Sequence, residues 1–315
     1  MNFQTQIPIQ KSEFPINYTS KVLSLGSCFA EKMSEKFEYF KFQNSVNPFG
    51  IIFNPVSLEK LISRCIHKEY FTENDIFFHN DLWHCYEVHS ELSNPNQIEF
   101  LNILNTLIDS TNRHIETLTH CLITVGTSWV YRHIESNTIV ANCHKVPQKQ
   151  FTKELLSIFQ IEESLKKIKA EIHAVNAKCH FIFTVSPVRH IKDGFVENNL
   201  SKAHLIAAIN TPNFKLSTSN YFPSYEIMMD ELRDYRFYAE DMLHPNQVAI
   251  DYIWIKFYEN YVDEKEFGTM QHVCDIQKAL QHRPFNPNSE SHLKFLDNLN
   301  QKINTLVKKY SHFQF

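Results

Sequence analysis

With 315 residues, 43% of them hydrophobic and 21% charged, the chain has a globular composition and enough length to bury a large core. A net charge of −4 without a polybasic run argues against a nucleic-acid partner, and no stretch approaches the ~20 apolar residues that cross a bilayer. Seven cysteines without regular spacing argue against a disulfide framework, and residues 1–17 lack a signal-peptide core, so the expected compartment is the cytoplasm, with no membrane partner.

The first element expected is a buried strand over residues 22–25 (Val-Leu-Ser-Leu). Gly26-Ser27 then form a tight turn into a helix whose Phe29, Met33, Phe37 and Phe40 recur at helical spacing. A second strand over 42–46 leads into the loop Asn47-Pro48-Phe49-Gly50. Asn54-Pro55 open the next helix with a cap residue and a proline in the first turn. Residues 75–78 and 82–88 flank His79-Asn80-Asp81 as a β-hairpin. A long amphipathic helix runs from Asn94 to about Leu118, again opened by Asn-Pro. Residues 121–125 form a strong buried strand, and 129–134 with 138–140 a second hairpin. A helix over 162–175, a strand over 181–185 and a helix over 199–209 follow. A last strand over 226–229 and a helix over 247–258 complete the set.

Alternation of apolar strands with helices implies an α/β fold, a parallel sheet covered on both faces, with ligands at the carboxyl ends of the strands. Ser27, Gly126 and Ser186 each follow an expected strand, so they should share that edge. From about residue 263 the pattern changes to two helices, 270–280 and 292–310. The chain therefore divides into residues 1–262 and a helical appendage, 263–315, packed on them. The stripe Leu293, Phe295, Leu296, Leu299, Ile303 and Leu306 also permits docking of a partner, though packing on the chain's own core is the simpler account.

Chemistry concentrates in two segments. Gly26-Ser27-Cys28-Phe29-Ala30 lifts a serine hydroxyl onto a strand-to-helix turn, and Asp241-Met242-Leu243-His244-Pro245 supplies a carboxylate and an imidazole three residues apart. Ser27, Asp241 and His244 are the parts of an acyl-transfer triad in the order Ser…Asp…His. Each has a plainer reading: Ser27 as a helix cap, Asp241 as a turn carboxylate, His244 as a loop histidine. The chain has five glycines, and Gly26, Gly50 and Gly126 fall where strands or loops meet turns, which is where oxyanion donors are built. Arg189 and His190, just past a strand, suit either a substrate group or a structural ion pair, and His144 and Lys145 are equally open. Cys28 reads as packing. His79, His84, Cys85 and His89 match no zinc spacing, so no metal is expected.

The first segment is word for word the signature of the GSCFA family. The resemblance continues through Asn47-Pro48-Phe49-Gly50, Gly126-Thr127-Ser128-Trp129-Val130-Tyr131, Asn142-Cys143-His144-Lys145, Ser186-Pro187-Val188-Arg189-His190 and the Asp241–His244 block, over roughly residues 20–260. That family looks like a branch of the SGNH/GDSL hydrolases. The resemblance implies a flavodoxin-like three-layer sandwich with five parallel strands in the order 2-1-3-4-5. It implies Ser27 as nucleophile with Asp241 and His244 as partners, and Gly50 and Gly126 as the glycines of the second and third blocks. The third block, Gly-x-Asn-Asp in the superfamily, departs here: Thr127, Ser128 and Trp129 follow Gly126, with no asparagine. The missing oxyanion donor is then Thr127, Ser128 or Asn142, or the hole has two donors. Losing one donor costs about 3 kcal/mol of transition-state stabilisation.

The expected activity is hydrolysis of a carboxylic ester, the acyl group carried by a small molecule or a carbohydrate, through an acyl-enzyme and without a metal or organic cofactor. An O-acyltransferase using the same site, and an idle glycan- or ligand-binding protein on the same fold, are the alternatives.

Overall fold

The structure, a computed structural model, describes residues 4–211, 214 and 219–315. Strand β1 (Lys21–Gly26) runs into helix α1 (Cys28–Tyr39), and β2 (Gln43–Val46) follows. Helix α2 (Pro55–His67) is capped by Asn54, whose Oδ1 accepts the Ser57 N–H, with Pro55 in the first turn. Strands β3 (Phe77–His79) and β4 (Leu82–His84) form a hairpin with both turn residues, Asn80 and Asp81, at positive φ, as a two-residue primed turn requires. Helix α3 (Gln97–Thr117) starts later than the Asn-Pro pair suggests: Asn96 caps it, while Asn94 pairs with Trp83 beside the hairpin.

Strand β5 (His120–Val125) is followed by β6 (Trp129–His133), β7 (Thr138–Val140) and β8 (Phe151–Leu155), a small antiparallel sheet in the order β7-β6-β8. The sequence pattern missed β8, an edge strand with an exposed Thr152-Lys153 pair, held to β6 by a two-pronged Arg132–Glu154 ion pair at 2.8 and 3.0 Å. Helix α4 (Ile158–Val175), β9 (His180–Val185), helix α5 (Phe195–Ile209) and β10 (Ser219–Phe222) come next.

The strand expected over 226–229 is helical instead. A turn, α6 (Ser224–Glu226), continues as the π-helical segment Ile227–Leu232, burying Ile227, Met228, Glu231 and Leu232. That i, i+1, i+4, i+5 spacing is helical, and a short apolar run by itself does not distinguish strand from helix. Helices α7 (Gln247–Tyr261), α8 (Phe267–Leu280) and α9 (Glu290–Lys309) close the chain. No helix among the described residues is long and apolar enough to cross a membrane.

The central sheet is parallel throughout, in the order β2-β1-β5-β9-β10, which is 2-1-3-4-5 when its own strands are counted. This is a flavodoxin-like sandwich. Alternation along each strand divides the core: Leu23, Leu25, Cys121, Ile123, Phe181 and Phe183 face α2 to α5, while Val22, Leu122, Ile182 and Phe222 face α1 and α7. Helices α8 and α9 thicken that second layer, where Met270, Val273, Ile276, Leu299 and Leu306 join Phe37 and Trp254 in one apolar cluster. Of the stripe on α9, Phe295, Leu299, Ile303 and Leu306 pack inward, whereas Leu293 and Leu296 stay exposed.

Candidate active site

The turn after β1 is fixed from several sides. Gly26 takes φ +125°, and a Cβ there would stand 2.0 Å from the Thr124 carbonyl oxygen of β5. Its N–H donates to Asn47 Oδ1 at 2.8 Å and its carbonyl accepts the Ile52 N–H at 3.0 Å, while the Ser27 N–H donates to Thr124 O at 3.0 Å. Ser27 thus sits at the head of α1, where its Oγ accepts the Phe29 N–H at 3.3 Å. It is 0% exposed, and its hydroxyl proton has no acceptor among the described residues. Cys28 follows at the helix start, its thiol pushed up first by burial and then by Glu31, so it is poorly suited to be a thiolate nucleophile.

On the loop before α7, Asp241 Oδ2 meets His244 Nδ1 at 2.6 Å, leaving Nε2 as the free imidazole nitrogen. The other carboxylate oxygen accepts the Leu243 and His244 N–H groups at 2.9 and 3.0 Å. These bonds hold the Asp241 carboxyl down at about 2. Met242 bridges the pair in a left-handed conformation, φ +59°. Arg189 supports this loop: its N–H donates to Leu243 O at 3.3 Å, its Nη2 to Met242 O at 2.6 Å, and its guanidinium stacks on Tyr238. Of the two roles left open for Arg189 by the sequence, a substrate group or a structural contact, the guanidinium's bond to Met242 O and its stacking on Tyr238 fit the second, carrying the loop of Asp241 and His244. Leu243 is tied in this way to the segment that follows β9, which leaves the same strand edge as Ser27. No hydrogen bond joins Ser27 to His244.

Between the two segments lie Gly126 and His190. A Cβ on Gly126 would stand 2.9 Å from Phe53, 3.3 Å from Ser27 Cβ and 3.4 Å from His190 Nε2, so three groups converge where this residue has no side chain. The His190 ring meets Phe53 edge-on at 5.2 Å, and its backbone N–H donates to Asn198 Oδ1 at 2.8 Å. Nε2 is buried without a partner among the described residues. Burial first, then the nearby Lys202 and His244, pull this imidazole down to about 3, so it is neutral across the working pH range.

Other expected site residues are engaged elsewhere. The Gly50 N–H closes a turn on Asn47 O at 2.7 Å, and a Cβ there would strike His89. The Gly126 and Thr127 N–H groups both donate to Phe53 O. Thr127 Oγ1 meets Ser201 Oγ at 3.0 Å, and Ser128 is fully buried with its N–H and Oγ on Ser201 of α5. Asn142 Oδ1 accepts the His144 N–H, and His144 is buried against Cys85 O, in the layer of the two hairpins. Lys145 is exposed. Ser186 is buried at the end of β9, on the shared edge with Ser27 and Gly126. Among the described residues no group of three or more His, Cys, Asp or Glu side chains is placed to hold a metal ion. A cavity of about 390 Å³, lined by Ile7, Phe183, Tyr221 and Tyr261 among others, includes none of the expected site residues.

Sequence reading passed over Lys202. Its ammonium, completely buried, donates to Gly126 O and Ser186 O at 2.7 Å each and ties the ends of β5 and β9 together beneath the site. The signal was present: Asn198, Ser201, Lys202 and Leu205 recur at helical spacing on the inward face of α5, a polar stripe where an apolar one is the rule. Burial pulls Lys202 down to about 7, with Cys28 opposing. Between that value and the ordinary lysine range the unfolded chain binds the extra proton, so this group makes stability rise with pH above 7. In Lys202→Met that contribution, up to about 1.4 kcal/mol per pH unit, is lost, and two buried carbonyls lose their donor at a cost of about 1–3 kcal/mol each. Urea denaturation from pH 6.5 to 9 should show the variant less stable throughout and the gap widening with pH. A constant gap would mean that the carbonyls keep the ammonium charged over the whole range.

Two family models match the chain: the GSCFA family over residues 21–257, and the GSCFA domain protein, C-terminal domain, over residues 273–315. No curated protein matches it.

Proposed function

The chain belongs to the GSCFA family, and from that premise we propose that it is a serine hydrolase of the SGNH/GDSL type, cleaving a carboxylic ester on a small molecule or carbohydrate. The observation that carries this reading is the 2.6 Å Asp241–His244 pair, on the strand edge where Ser27 heads α1. A carboxylate on Nδ1 keeps the proton there and leaves Nε2 as the base. His244 Nε2 takes the Ser27 hydroxyl proton while Oγ bonds to the acyl carbon and the carbonyl π pair moves onto oxygen. The N-terminus of α1, with first-turn N–H groups directed along the helix axis, favours that negative charge. As the intermediate collapses, the alcohol leaves with the proton from His244 Nε2. Water then gives a proton to His244 Nε2 and attacks the acyl carbon, and the Ser27 Oγ–acyl bond breaks as that proton returns to Oγ and the acid leaves; a hydroxyl acceptor in place of water makes the protein an O-acyltransferase.

Complete burial of Ser27 and the missing Ser27–His244 bond favour a second reading, an idle ligand-binding protein on the hydrolase fold. Catalytic hydrogen bonds in ligand-free sites are often long and tighten when substrate arrives, so this does not displace the first reading. Labelling with a fluorophosphonate probe, mapped by mass spectrometry, separates the two. A single adduct on Ser27 supports the hydrolase, and its absence on folded protein moves the binding reading to first place.

Arg189 gives a further expected outcome. Arg189→Ala frees the loop from its Met242 carbonyl contact and its stacking on Tyr238, so kcat should fall about tenfold or more through misplacement of His244. KM and the melting temperature should change little. A kcat equal to wild type would show that the loop holds itself.

A further inference from the structure

We propose that His190 is an oxyanion donor of this site, its imidazole pointing Nε2–H at the oxygen that becomes negative when Ser27 attacks an acyl carbon. The inference rests on the serine-hydrolase reading above. Thr127 and Ser128 are bonded to Ser201, Asn142 belongs to the hairpin layer, where its N–H donates to Tyr86 O and its Oδ1 accepts the His144 N–H, and the Gly50 N–H closes a turn. None of these is arranged to take the place of the asparagine absent after Gly126.

His190 has the properties that they lack. Its Nε2 is buried, without a partner among the described residues, and is a neighbour of Ser27 Cβ across Gly126. A buried polar atom left unpaired carries a desolvation cost that a ligand atom can relieve. The Asn198 bond fixes the His190 backbone and Phe53 packs edge-on against its ring, which favours a preorganised nitrogen. Gly126 leaves open a space that borders both this nitrogen and Ser27 Cβ, and any side chain there would fill it.

A general-base role for His190 is opposed by the same surroundings. Taking the Ser27 proton would create an imidazolium in a buried site, whereas His244 carries a carboxylate on its far nitrogen. Donation from neutral Nε2–H transfers no proton. The Ser27 proton goes to His244, the carbonyl π pair goes to oxygen, and His190 only stabilises that oxygen until the pair returns and the alcohol leaves.

The test joins Ser27 labelling, kinetics on an activated acetyl ester, and ¹⁵N-histidine NMR of wild type and the phosphonylated enzyme. His190→Ala should lower kcat and the labelling rate by about 10²–10³-fold with KM nearly unchanged, and His190→Gln, which keeps a donor, should recover part of it. In wild type, NMR should place the His190 proton on Nε2 and shift it downfield on phosphonylation. A bare Nε2, or a His190→Ala rate equal to wild type, overturns the inference while leaving the hydrolase standing. Should His190→Ala fail to fold, the wild-type spectrum decides. Absence of Ser27 labelling in folded wild type overturns the hydrolase reading and this inference together.

Discussion

Replacement of Ser27 by alanine is expected to abolish fluorophosphonate labelling and to lower ester turnover by about 10⁴–10⁶-fold, the range seen when a triad nucleophile is removed. His244→Ala should fall in the same range, and the double variant should be little worse than either, because the two side chains act as one unit. Asp241→Asn is the more telling change. Asp241 Oδ1 already accepts the Leu243 and His244 N–H groups, so asparagine would keep its carbonyl oxygen there and turn its NH₂ toward His244 Nδ1. The imidazole would then carry its proton on Nε2 and be unable to accept one from Ser27. Because both side chains are about half exposed, at 45% and 48%, solvent can help to correct the tautomer, and a loss of about 10²–10⁴-fold is expected. Asp241, held at about 2, remains a carboxylate across the working pH range. Turnover unchanged in Ser27→Ala would sink the acyl-enzyme mechanism.

Gly26→Ala is expected to produce the largest loss of stability from a single methyl group. The residue takes φ +125°, where a side chain is strained in any surroundings, and its Cβ would stand 2.0 Å from the oxygen and 2.8 Å from the carbon of the Thr124 carbonyl. Both obstacles are backbone of the central strand β5, so relief requires β1 and β5 to part at the end that presents Ser27. A cost above about 4 kcal/mol, or failure to fold, is the expected result in urea denaturation. Gly268→Ala supplies the contrast. It lies near the start of α8 with nothing within 4 Å of its Cβ, so the same methyl should be neutral or stabilising by up to about 1 kcal/mol. A Gly26→Ala protein as stable as wild type, with Ser27 still labelled, would contradict the turn geometry.

Much of the architecture was legible because burial leaves a local trace. Strands β1, β5 and β9 are almost wholly buried, so they read as continuous apolar runs, and α1, α2 and α4 carry apolar stripes at helical spacing. The sheet order was an expectation from resemblance, which the structure bears out. Strands β8 and β10 were not legible. Phe-Thr-Lys-Glu-Leu and Ser-Asn-Tyr-Phe have no distinctive apolar run, and pairing with β6 and β9 is what makes them strands.

The sequence by itself determined the chemistry on offer: a serine on a glycine turn, a carboxylate and imidazole three residues apart, and a third block without its asparagine. Local spacing was enough for that, since Asp241 and His244 meet through a single turn of chain. Only the tertiary structure decided which polar groups remain available. Ser128 is bonded to Ser201, 73 residues away, and the Gly50 N–H is taken within its own turn. Lys202 reaches across from α5 to bind the ends of two strands, and His190 is left with an unpaired nitrogen beside Ser27. A donor is free or spent according to what packs against it, and those neighbours come from elements far apart in the chain.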